Sequence, residues 1–125
     1  MIPEHIQRFV LTSIPSVPYL EAALLFHKGA QVESNCGDLA RALYVPEAKA
    51  AELLDALCRA GILGACPNAE GRYRYAPRDE ALAAAIRQLA EVYASDMIGV
   101  THLIHDSTQK TARRFADAFK LRRDR

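Results

Sequence analysis

Long apolar runs are missing from this chain. Its longest uncharged stretch, Phe9 to Leu20, holds three polar residues and two prolines, so no bilayer-spanning helix is expected. The first residues lack a basic segment followed by an apolar core, and no secretory signal is expected. Cysteine is scarce and odd in number. Cys36, Cys58 and Cys66 form no C-x-x-C pair, which argues against a disulfide scaffold and for free thiols in a reducing cytoplasm. Neither sign of charge dominates: 16 Lys or Arg face 15 Asp or Glu, a formal net charge of +1. Any attraction to a polyanion must therefore be local. There is no internal repeat and no low-complexity linker. No Ser/His/Asp constellation, phosphate-cradling glycine loop or paired-carboxylate motif stands out, and the chain is read as a non-enzyme without a cofactor.

What is present is an ordinary globular composition, 50% apolar and 25% charged over 125 residues. Alanine is concentrated in 48–60 and 81–94, which favours helix because it loses no side-chain entropy there. The pattern predicts a helix from about Pro3 to Thr12 and a second after Ser16, stopping at Gly29. A short edge strand is expected at Ala30–Glu33. A third helix follows, capped by Ser34 or Asn35 and reaching Tyr44, and a fourth runs from about Pro46 to Ala60. Ile62–Cys66 and Arg72–Ala76 read as strands joined by the turn-forming Pro67-Asn68-Ala69-Glu70-Gly71, which makes a hairpin. From Asp79 the spacing of Leu82, Ile86, Leu89, Tyr93, Met97, Val100 and Ile104 predicts one continuous helix of some six turns, with Gly99 its weak point. A last helix, capped by Asp106 or Ser107, is expected through about Arg122.

Residues 39–63 decide the expected fold. Leu39, Ala40 and Leu43 share one face of the third helix, Val45 closes a turn, Leu54 and Leu57 point inward from the fourth, and Ala60-Gly61-Ile62-Leu63 leads into a strand. Two short helices crossing steeply need such a shared apolar junction, with a small residue where they come closest. This spacing resembles the L-A-x-x-L-x-V…L-x-x-L-x-x-x-G-[LI] pattern of winged-helix bacterial regulators, the broad group of MarR-, ArsR- and PadR-like proteins. The resemblance covers residues 18–77, and the tail only in general character. It implies a mainly α (α+β) fold: a winged helix-turn-helix domain at 1–77 with a β-hairpin wing, then a C-terminal helical extension at 78–125 for dimerisation. The plain alternative is an all-α bundle.

The resemblance also implies a DNA-facing surface. Candidate contacts are Arg41 and Lys49 on the two helices, Asn68, Arg72, Arg74 and Arg78 on or beside the wing, and Arg113 and Arg114 in the tail. Tyr44 and Tyr73 could touch sugar or phosphate, though packing is the preferred role for each. One departure matters: the outward face of the fourth helix carries Glu47, Glu52 and Asp55 against Lys49 alone, and phosphates repel carboxylates. Two functions stay open. The first is a transcription regulator that binds double-stranded DNA as a dimer through its wings and basic tails. The second is a degenerate winged helix that binds a protein of the transcription apparatus through Glu47, Glu52, Asp55, Phe115 and Phe119. The stripe of Leu82, Ile86, Leu89, Tyr93, Met97 and Val100 reads as a homodimer seam or as a core face, the seam being preferred.

Charge is uneven along the chain. Residues 1–106 hold nine basic and thirteen acidic side chains, and 107–125 hold seven and two. The basic end surrounds Phe115 and Phe119, and reads as a docked helix, a phosphate-contacting arm, or a docking element for an acidic surface such as the fourth helix. His102, His105 and Asp106 share a helical turn, but nothing nearby completes a metal set. Cys36, near a helix start, could be a redox-sensitive thiol, although a small buried hydrophobe is the commoner role. An iron–sulfur cluster is discounted because the three cysteines are far apart.

Overall fold

The computed structural model describes residues 2–106. Helix α1 (Glu4–Ser13) begins after Pro3 and ends before Pro15, which has no N–H to extend it. Ser16 caps α2 (Val17–Lys28), its hydroxyl accepting from the Tyr19 N–H at 3.3 Å. Pro18 is tolerated in that first turn, where N–H groups have no intrahelical partner. The expected edge strand at 30–33 is instead a turn and connector, closed by the Val32 N–H on the Gly29 carbonyl at 2.9 Å. The strand β1 lies just beyond, at Ser34–Asn35, because only those residues stand opposite a pairing partner.

Asn35 then caps α3 (Cys36–Leu43) through a reciprocal box. Its side chain accepts from the Asp38 N–H at 2.8 Å, and the Asp38 carboxylate accepts from the Asn35 N–H at 3.1 Å. Helix α4 (Glu47–Arg59) follows Pro46 and ends at Gly61. Gly61 has φ 78°, so its N–H reaches the Cys58 carbonyl and the Ile62 N–H the Leu57 carbonyl, both at 3.0 Å. The chain leaves that turn as β2 (Leu63–Ala65), reverses through 66–71 and returns as β3 (Arg72–Tyr75). The three short strands form one antiparallel sheet in the order β1-β3-β2. The described residues are thus mainly helical with a small sheet.

Asp79 caps α5 (Glu80–Ser95), accepting from the Leu82 N–H at 2.8 Å. Here one expectation fails. The long helix does not run through to Ile104; it breaks at Asp96, and a further helix, α6, occupies 97–106. Asp96 ends α5 with its N–H on the Val92 carbonyl at 2.7 Å, while its carboxylate accepts from the Gly99 N–H at 3.0 Å to start α6. Aspartate competes with the helix for its own backbone donors in this way. Gly99, expected to be the weak point, lies inside α6, and the Asp96 carboxylate stands where a Cβ on residue 99 would be.

A single apolar cluster joins all of these elements. Ile6 and Val10 of α1, Leu20, Ala23 and Phe26 of α2, Leu39 and Ala40 of α3 and Leu53, Leu54 and Leu57 of α4 meet Ile86 and Leu89 of α5 and Val100 and Ile104 of α6. Full burial of each large member contributes about 1.5–3 kcal/mol. The core therefore crosses the expected domain boundary at 77/78. It also corrects the dimer seam: Ile86, Leu89 and Val100 are 1%, 1% and 0% exposed within the chain and have no surface left for a second copy. Leu82 and Tyr93 are half-buried against the same core, and only Met97 is exposed. The seam expectation assumed one straight helix too long for its body to cover; the break at Asp96 lets α6 fold its apolar side back onto that body. No single helix among the described residues is long and apolar enough to cross a membrane.

Candidate nucleic-acid interface

The junction of α3 and α4 is built as the leucine spacing requires. Leu39, Leu54 and Leu57 are buried together, and small Ala40 and Ala50, also buried, permit the close approach. The turn between the helices is made by Tyr44, the one non-glycine residue at positive φ (56°) among those described. Its N–H and that of Val45 both bond the Ala40 carbonyl, which drops Val45 onto the core and leaves the Tyr44 side chain 95% exposed. The preferred packing role of Tyr44 is thereby overturned. The left-handed position belongs to backbone geometry, and Val45 fills the junction in its place. Tyr73 does pack, half-buried against the core.

On β3 the side chains alternate. Tyr73 and Tyr75 turn inward, while Arg72 and Arg74 are exposed on the other face of the middle strand. Asn68 and Gly71 are exposed in the hairpin turn, where Gly71 adopts φ 77° in open space. Arg41 stands on the neighbouring face of α3, its guanidinium 2.7 Å from the Asp38 carboxylate. Asp38 is held below the usual carboxylate range, first by the Asn35 N–H; desolvation opposes this next, and Arg41 and then Arg72 add to the lowering. Arg41 and Arg72 thus flank one carboxylate, with Arg74 one pleat further along. The Arg72 guanidinium also lies 3.5 Å from the Glu33 carbonyl.

Arg78 does not join them. It packs over Gly61 at the base of the hairpin and pairs with Asp79 at 3.5 Å. Lys49 is exposed on α4 but faces Glu52 at 3.8 Å, and Arg59 pairs with Asp55 at 3.1 Å. Exposed pairs of this kind add little stability, about 0–1 kcal/mol each. Their larger effect is to offset the cations of α4, leaving Glu47 to set the sign of its outer face. Arg113, Arg114, Phe115 and Phe119 lie outside the described residues.

The thiols take separate roles. Cys66 is buried at the end of β2, and its thiol is pushed up by burial and then by Glu33. Cys36, the first residue of α3, donates to the Glu47 carbonyl at 3.1 Å and ties the starts of the two helices together. Cys58 is half-buried, its thiol raised by burial and by nearby Asp55. Among the described residues no group of three or more His, Cys, Asp or Glu side chains is placed to hold a metal. Sequence reasoning missed a groove of about 530 Å³ between α2 and α3, with Phe26, Leu39 and Ala42 among its lining and the exposed Leu25 and Val32 beside them. Two exposed aliphatic residues bracketing Gly29 were the available signal. Comparisons with protein-family models, with curated proteins and with solved structures found no match to this chain.

Proposed function

We propose that the chain is a winged helix-turn-helix protein of transcription-regulator type, and that it docks on the backbone of duplex DNA. The observation that carries this reading is the pair of exposed arginines, Arg72 and Arg74, on the middle strand of a β1-β3-β2 sheet set directly behind the α3–α4 junction. Arg41 extends the pair across α3, and Tyr44 projects from the inter-helix turn on the same motif, its hydroxyl free to bond a phosphate or sugar. Contacts of this kind position a protein on DNA but carry no base code. Helix α4 offers Ala48, Ala51, Glu47, Glu52 and Asp55, none of which is a donor fork for a guanine or adenine edge. The reading is therefore backbone and shape recognition with weak sequence preference. A homodimer belongs to the proposal, with its contact moved from the buried stripe to Met97 and Ile98, 57% and 73% exposed at the start of α6.

A second reading is favoured by the acidic outer face of α4: docking of a basic protein surface in place of DNA. Fluorescence anisotropy with a labelled random-sequence duplex at about 50 mM salt, where the phosphate contribution is strong, separates the two. Binding that weakens as salt is raised, and that Arg72→Glu with Arg74→Glu abolishes, supports the DNA reading. No binding at that salt ends it and leaves the protein-docking one.

A further inference from the structure

We infer that the Asp38 carboxylate competes with DNA phosphate for Arg41 and Arg72, and so sets the affinity of the interface proposed above. The inference rests on that docking reading. It starts from how little freedom this carboxylate has. One oxygen, Oδ2, accepts from the Asn35 N–H at 3.1 Å, while the Asn35 side chain accepts from the Asp38 N–H at 2.8 Å. This reciprocal box pins the carboxylate at the first turn of α3. The other oxygen, Oδ1, accepts from the Arg41 guanidinium at 2.7 Å, across one helical turn. The sheet brings Arg72 to the same place. It stands opposite Asn35 in the β1–β3 register, and its guanidinium lies 3.5 Å from the Glu33 carbonyl.

The three arginines of the interface are therefore not equivalent. Arg74, two residues along β3, makes no ion pair among the described residues. It is open to a phosphate directly. Arg41 and Arg72 share one negative charge, and a phosphate that approaches Arg41 must take over a guanidinium already bonded. It does so beside a carboxylate that the backbone holds in place. The pair is reachable, because the Arg41 side chain is 75% exposed and that of Asp38 40%. Counterion release follows the net number of phosphates neutralised, so two cations and one carboxylate act as about one phosphate contact in place of two.

The test titrates a labelled random-sequence duplex with the full chain and with Asp38→Asn, from about 50 to about 200 mM salt. Asparagine keeps an acceptor for the Asn35 N–H but no charge. Asp38→Ser, whose hydroxyl can accept the same N–H, is the second variant, and circular dichroism shows that each is folded. Both are expected to bind about fourfold more tightly than the original chain at about 50 mM salt, with log K falling more steeply against log salt by about 0.9. That change of slope removes about 3.5-fold of the gain over a fourfold rise in salt, so the affinities nearly converge at about 200 mM. Unchanged affinity and slope in the folded variants overturn the inference and leave the docking reading standing. No binding by the original chain or by either variant ends that reading, and the inference with it. An equal gain from Glu70→Gln also overturns it. That variant removes an exposed hairpin carboxylate with no ion pair among the described residues, and charge alone would then explain the effect.

Discussion

Replacing Tyr44 with glycine separates the stability of the inter-helix turn from its use. An L-residue in the left-handed region costs about 1–2 kcal/mol, and glycine relieves that cost. Against this, glycine loses roughly 0.5–1 kcal/mol more backbone entropy on folding. The side chain gives nothing back, since Tyr44 is 95% exposed and forfeits almost no burial when removed. Tyr44→Gly is therefore expected to stabilise the fold by about 0.5–1 kcal/mol, a rise in Tm of roughly 3–6 °C for a domain of this size. Urea denaturation followed by circular dichroism measures the first quantity, and a thermal melt the second. If the turn is used as proposed, the same variant binds duplex DNA more weakly, about three- to tenfold. Under that proposal, the strain at Tyr44 is the local cost of presenting its ring and hydroxyl to solvent at the inter-helix turn. Destabilisation by more than about 1 kcal/mol would refute the reasoning, because Tyr44 would then be holding the two helices together.

Three further outcomes follow from other parts of the structure. Gly61→Ala should cost about 1–2 kcal/mol in denaturant unfolding, because φ is 78° there and the Arg78 side chain occupies the space an added Cβ would need. Leu89→Ala should cost about 2–5 kcal/mol with no change of mass in light scattering; a change of mass without loss of stability would restore Leu89 to a dimer seam. Asp38, whose folded-state carboxyl is depressed, contributes stability above its unfolded value of 3.8 and loses it as pH falls through the lower folded value. Asp38→Asn should therefore lower Tm at about pH 6 and much less at about pH 2, and an equal deficit at both would exclude the carboxylate as the source.

Most of the helical scaffold was legible because its determinants are local. Ser16, Asp79 and the Asn35–Asp38 box cap helices as their types suggest, and Gly61 and Gly71 adopt the positive φ that ends a helix and closes a hairpin. The failures are equally specific. β1 is two residues long and exists only through its pairing with Arg72 and Tyr73, a partner some forty residues away that local patterning cannot supply. Asp96 was hidden because α5 and α6 pack on the same core, so the apolar spacing keeps its phase across the break. The Ser95-Asp96 pair, a good N-cap site, was the signal that could have found it. On the candidate interface, the exposure of Arg72 and Arg74 followed from strand alternation. The convergence of Arg72 with Arg41 around Asp38 depended on tertiary placement.

One carboxylate fixes the bearing of α6. Because Asp96 closes one helix and opens the next, and because residue 99 is a glycine that leaves it room, the direction in which α6 crosses the core is set by positions 96 and 99. An alanine at 96 would favour fusion of the two helices into a straight rod. That rod would lift Val100 and Ile104 out of the core. A long apolar ridge would then lie open, of the sort that pairs with its own copy. The side chain at position 96 thus decides whether Val100 and Ile104 lie in the core of the chain or on an open face.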